Sequence, residues 1–77
     1  MKEFVEFIVK HLVDKPDSVS VTEVKGERVT IYELRVGEGD MGKVIGKRGQ
    51  TAYAIRKLLN AATAKKKGTS SILEILE

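Results

Sequence analysis

The sequence predicts a small α+β domain: one three-stranded mixed sheet with helices packed on one face. Three observations lead there. The apolar spacing is helical at the start and again after residue 50, and alternating in between and at the end. Turn residues separate each of these runs. With 77 residues there is room for one modest core, so residues 1–77 form a single domain.

The elements follow in order. Over residues 2–14, Phe4, Ile8 and Leu12 recur at helical spacing with Val5 and Val9 beside them, an amphipathic helix that Pro16 forbids from continuing. On that helix core packing is expected for Phe4 and Phe7. Val19 and Val21 alternate with Ser20 and Thr22, a strand, and Lys25-Gly26-Glu27 reads as a hairpin turn. Residues 28–36 are a second strand whose alternation changes phase, from Val29 and Ile31 to Tyr32, Leu34 and Val36. Either a bulge or a strand apolar on both faces accounts for that. Asp40 is a good N-cap for a short helix with Met41, Val44 and Ile45 on one face, ended by Gly46. A longer helix runs from Gln50 to about Lys67, with Ala52, Ile55, Leu58, Leu59 and Ala62 expected inward and Gly68 as its C-cap. Residues 71–76 are the last strand. The order is helix, strand, strand, short helix, long helix, strand, and the helical crossover before the last strand makes part of the sheet parallel.

Composition narrows the chemistry. Absence of cysteine excludes disulfides, thiolate catalysis and thiolate-bound metal. No apolar run approaches the roughly 20 residues of a membrane helix, and the charged N-terminal stretch is no secretory signal, so the cytoplasm is the expected location and no membrane is involved. The net charge is +3, but residues 41–73 hold eight Lys or Arg and no acid. Such a one-signed stretch suits a polyanionic partner, or is a solvated basic face. His11, the single histidine, reads as a surface or boundary residue, and no paired acids, nucleophile–base pair or metal spacing stands out, so an enzyme is not expected and neither cofactor nor small-molecule substrate is implied.

The stretch GEGDMGKVIGKRGQ, residues 37–50, admits three phosphate-binding readings. Gly37-x-Gly39-x-x-Gly42 has dinucleotide-fold spacing, but the acid required about 20 residues on is missing, and Gly46 and Gly49 interrupt the helix. Gly37-x-x-x-x-Gly42-Lys43 is nearly a P-loop, yet Val44 stands where magnesium needs a hydroxyl. The third reading is Val44-Ile45-Gly46-Lys47-Arg48-Gly49, an apolar pair and a G-x-x-G turn between two helices. Glycines there let the backbone lie against a phosphate–sugar chain, the next helix start offers free N–H groups, and Lys47 and Arg48 add charge. Val44 and Ile45 are placed to line an apolar groove for unstacked bases.

That motif, between two helices and within this element order, resembles the hallmark of the KH domain in its type II arrangement. Over essentially the whole chain, and in residues 40–49 especially, the sequence resembles the small bacterial single-KH-domain RNA-binding proteins of the KhpA type. The resemblance implies that Gly46, Lys47, Arg48 and Gly49 grip a single-stranded RNA backbone and that Val44 and Ile45 form the apolar side of the groove. Lys43, Arg56 and Lys57 lie on the flanking helices within reach of phosphates, and Lys65, Lys66 and Lys67 precede a short counterpart of the family's variable loop. It also implies a homodimer or pairing with a larger KH-containing protein. Tyr53, one turn after the loop, is placed either to stack on a base or to sit half-buried at the surface. Two rival functions remain: a protein–protein module that uses the basic face without RNA, and a nucleotide-binding enzyme that uses Gly37, Gly39 and Gly42.

Overall fold

The structure, a computed structural model, describes residues 1–63 and 70–77. The predicted Gly68 cap and the Lys65–Lys67 run lie outside the described residues. Helix α1 (Lys2–Lys10) leads through a single 3-10 turn at Pro16–Ser18 into β1 (Ser20–Lys25) and β2 (Val29–Arg35). Then come α2 (Met41–Ile45), a 3-10 turn at Lys47–Gly49, α3 (Gln50–Thr63) and β3 (Ser70–Leu76). This is the predicted order.

The strands lie in the order β1-β2-β3. β1 and β2 are an antiparallel hairpin in continuous register from Ser20↔Arg35 to Lys25↔Thr30. β3 runs parallel to β2, from Val29↔Ser70 to Arg35↔Leu76. Both registers are unbroken, so the phase change in β2 is not a bulge. Tyr32 and Leu34 face the helices and are buried. Ile31 faces the other way and pairs with Val24 and Ile72. β2 is the central strand, and its neighbours' side chains half-cover even its outward residues.

The helices pack on the remaining face, and the core consists of Val5 and Val9 from α1, Val44 from α2, Ile55 and Leu59 from α3, and Val21, Tyr32, Leu34 and Leu73 from the sheet. Five inward assignments need correction. Phe4 is 36% and Phe7 65% exposed, so neither packs in the core, and Leu12 is exposed as well. Each residue turns a helix by about 100°, and the buried stripe is centred on Val5 and Val9, which leaves both phenylalanines on a flank. For the same reason Leu58, next to buried Leu59, is 51% exposed, and Ala62 is exposed too. α1 also stops at Lys10, well short of Pro16. His11 lies at the surface, its ring against Phe7 and its Nδ1 bonded to the Phe7 carbonyl oxygen at 2.7 Å.

Asp40 is a third departure. It occupies the position before α2 but makes no capping bond there. Its carboxylate is 2% exposed and accepts the backbone N–H of Asp14 at 3.3 Å and of Lys15 at 2.9 Å. The buried charge therefore ties the connection after α1 to the start of α2. A buried carboxylate must find donors, and the turn after α1 offers two that no helix or strand uses.

Candidate nucleic-acid interface

α2 ends because Gly46 adopts φ 77, ψ 173, a region essentially closed to residues with a Cβ. A Cβ on Gly46 would also run into Thr51, meeting its side-chain oxygen, its Cβ at 2.6 Å and its backbone N at 2.9 Å. Gly49 has φ 76 with open space around it. Between them Arg48 itself is left-handed, φ 58 and ψ 24. This reverses the chain sharply between α2 and α3 and leaves Lys47 and Arg48 exposed at the tip. The first turn of α3 starts directly behind, its Gln50 N–H bonded back to the Lys47 carbonyl oxygen, so the positive end of the helix dipole adjoins the turn.

Beside the turn runs an open groove of about 430 Å³, lined by Ile45, Gly49, Ala52, Arg56, Leu73, Glu74 and Ile75. One wall is α2 and α3, the other is β3. β3 is an edge strand, and alternation decides which of its backbone groups are available. Even-numbered residues point theirs at β2: Ser70 N–H donates to Arg28 O, and Leu76 O accepts from Val36 N–H. Odd-numbered residues point theirs at the open edge. There Asn60 Oδ1 accepts the Ser71 N–H at 3.4 Å, and Arg56 Nη2 donates to Leu73 O at 3.5 Å. The Leu73 N–H and both polar groups of Ile75 face the same edge. Apolar side chains and an unpaired strand edge thus share one groove, a combination suited to flat rings with hydrogen-bonding rims.

The sequence-predicted residues divide over this geometry. Gly46, Lys47, Arg48 and Gly49 form the turn, Ile45 lines the groove and Arg56 spans it. Val44 does not line it: it is fully buried in the core. Met41 and Val44, three residues apart, share the inward face of α2, and only Ile45 turns toward the rim. Lys43 is drawn elsewhere, its ammonium 2.9 Å from Asp14 Oδ2 and 3.8 Å from Asp40 Oδ1. The bond to Asp14 and then its charge raise the Lys43 pKa above its ordinary value. Lys57 lies 5.3 Å from the centre of the Tyr53 ring, and Tyr53 is exposed at the surface. Ala52, Leu73 and Ile75 also line the groove, and the sequence does not mark them for the site. Their apolar alternation or spacing was visible, but the edge position of β3 next to α2 is a property of the sheet order.

A larger concavity of about 580 Å³ lies at the other end of the sheet, bordered by Glu23, Glu27, Lys25 and Tyr32 among others. The Tyr32 hydroxyl donates to Glu23 Oε2 at 3.3 Å. Burial, and then the Glu23 charge, pushes the Tyr32 pKa up. Two carboxylates at its border repel a polyanion, whereas the groove beside the turn has one, Glu74, and the adjoining α2, turn and α3 hold five basic residues and no acid from Met41 to Thr63.

Comparison with known proteins identifies the family. The family described as KhpA/KhpB, KH domain, matches residues 2–75. The chain is similar to a Chlamydia trachomatis protein named RNA-binding protein KhpA, 52% identical over 77 residues, covering 100% of this chain and 97% of that protein. A Clostridium perfringens protein of the same name is 54% identical over 76 residues, covering 99% and 100%. One from Aquifex aeolicus is 48% identical over 77 residues, covering 100% and 96%. No solved structure matches the chain.

Proposed function

The chain belongs to the KhpA/KhpB KH-domain family, and from that premise we propose that it is a non-catalytic RNA-binding protein that grips short single-stranded RNA. The phosphate–sugar backbone lies on the Gly46–Gly49 turn. Glycine there permits close approach, the start of α3 presents N–H groups, and Lys47 and Arg48 neutralise phosphates. Unstacked bases lie on Ile45 and present their edges to the Leu73 N–H and the open backbone of Ile75, with Arg56 at the rim. A duplex hides those base edges and is too wide for the groove, which favours single strands. Lys43, already engaged by Asp14 and Asp40, contributes to the general field and makes no direct contact.

One observation carries this reading: the G-x-x-G turn, in a segment free of acids from Met41 to Thr63, opens directly onto a groove walled by an unpaired strand edge, with Glu74 the one carboxylate that lines it. The relatives' printed names, RNA-binding protein KhpA, point the same way. A single groove of this kind holds about four nucleotides. A second copy of the chain, or a larger KH-containing partner, would add affinity through avidity.

The test is an anisotropy titration of labelled single-stranded RNA at two salt concentrations, with wild type beside the Lys47→Asp, Arg48→Asp double variant. Both side chains are exposed, so the variant should melt like wild type. Wild type should bind, more weakly at high salt, and the variant should not. Equal binding by the two would remove the turn from the site. No binding by wild type would favour a protein-docking role for the basic face.

A further inference from the structure

α3 carries one aromatic ring in the open, on the border of the groove. Tyr53 is 59% exposed, whereas Tyr32, the other tyrosine, is 2% exposed. Tyr53 directly follows Ala52 and precedes Arg56 by three residues, and both of those line the groove. Residues three apart are neighbours on a helix surface, so the ring stands beside Arg56 on the outer rim. The Lys57 ammonium lies 5.3 Å from its centre. Among the described residues neither core packing nor a hydrogen bond accounts for an aromatic side chain here. α3 also has no acid along Gln50–Thr63, so a polyanion that leaves the groove meets no repulsion along this flank.

We propose that Tyr53 and Lys57 form a separate stacking subsite for a nucleotide flanking those held in the groove. This rests on the RNA-binding function proposed above. The base of the flanking nucleotide stacks on the exposed part of the Tyr53 ring. The adjoining phosphate takes the Lys57 ammonium, whose flexible four-carbon stem lets it move from ring to phosphate. Every base has a π-face, so the subsite accepts any base. It extends the length of RNA bound without adding sequence preference. The ring is reachable only by an unstacked base, which strengthens the preference for single strands.

The experiment uses the full chain and two labelled oligouridines, one of about four nucleotides to fill the groove and one of about ten to run past it. Wild type, Tyr53→Ala and Tyr53→Phe are titrated with each, after thermal melts show equal folding. Tyr53→Ala should lose about 5- to 150-fold in affinity for the longer RNA, the worth of stacking one base, and little for the shorter. Tyr53→Phe should keep wild-type affinity for both. Tyrosine emission gives a second readout, because Tyr53 is the exposed one of two tyrosines. The longer RNA should quench it and the shorter should not. Equal affinity of wild type and Tyr53→Ala for the longer RNA would overturn the proposal. So would an equal loss on both lengths, which would place the ring inside the groove. If wild type binds neither RNA, the RNA-binding function falls and this subsite with it.

Discussion

Replacing Gly46 with alanine should strongly destabilise the domain, and the reasons can be separated by comparison with Gly49. Two costs act at Gly46. Its backbone, φ 77 and ψ 173, is one that only glycine adopts without strain, and holding another residue there costs about 1–3 kcal/mol. An added Cβ would also stand 2.9 Å from the backbone N of Thr51 and 2.6 Å from its Cβ. The Thr51 hydroxyl can rotate away, but the backbone N cannot move without shifting the first turn of α3, at a further cost of about 1–2 kcal/mol by analogy with overpacking. A total near 3 kcal/mol is a large share of the roughly 4–12 kcal/mol that a domain of this size possesses. It corresponds to a fall in Tm of roughly 12–24 °C. Gly49 has φ 76 but nothing within 4 Å of an added Cβ, so Gly49→Ala should cost only about 1–2 kcal/mol. Thermal melts followed by circular dichroism measure both. If the two variants melt at the same temperature, the clash with Thr51 contributes nothing. If Gly46→Ala melts within about 2 °C of wild type, the whole argument for the turn fails. A Gly46→Ala, Thr51→Ala double variant should recover only part of the loss, since the Cβ and the backbone N of that residue both remain.

Other perturbations have definite outcomes. Asp40→Ala leaves the N–H groups of Asp14 and Lys15 without their acceptor and should cost about 3 kcal/mol, read as a lower urea midpoint with an unchanged slope. Arg48→Gly removes left-handed strain at φ 58 and should leave stability unchanged or raised by up to about 1 kcal/mol. The same change should weaken RNA binding and flatten its salt dependence by about 0.7 in the log–log slope, one phosphate contact on a single strand. Stability should also fall at alkaline pH. Tyr32, raised from 10.0 by burial and then by Glu23, and Lys43, raised from 10.5 by its bond to Asp14, both hold their protons more tightly when folded. Their contribution is complete below about pH 10 and is lost as pH rises through the folded values. Melts across pH 8 to 11 should be flat and then decline, and Tyr32→Phe with Lys43→Met should shift the decline to higher pH.

Local patterns sufficed for much of this molecule. Helical spacing, strand alternation and the punctuation by Pro16, Gly26 and Gly46 determined the order of elements, and residues 46–49 announced the turn, because those signals act between residues close in the chain. The packing partners of each face were decided elsewhere. Phe4 and Leu58 have apolar side chains at helical spacing, as Val5 and Leu59 do, and only the rotation of each helix against the sheet separates buried from exposed. Val44 and Ile45 are adjacent and equally apolar, yet one completes the core and the other lines the groove. Asp40 looked like a cap for the helix that follows it, while its donors come from a turn about 25 residues earlier in the chain. The strand alternation of β2 permitted a bulge or two apolar faces, and only pairing with both neighbours selected the second. The far wall of the groove depends on β3 lying at the sheet edge beside α2 and α3, a long-range arrangement that no local spacing encodes. The sequence by itself determined the elements and the Gly46–Gly49 turn. The tertiary structure decided which side chains and which backbone edge complete the site, because those choices are made by contacts between segments far apart in the chain.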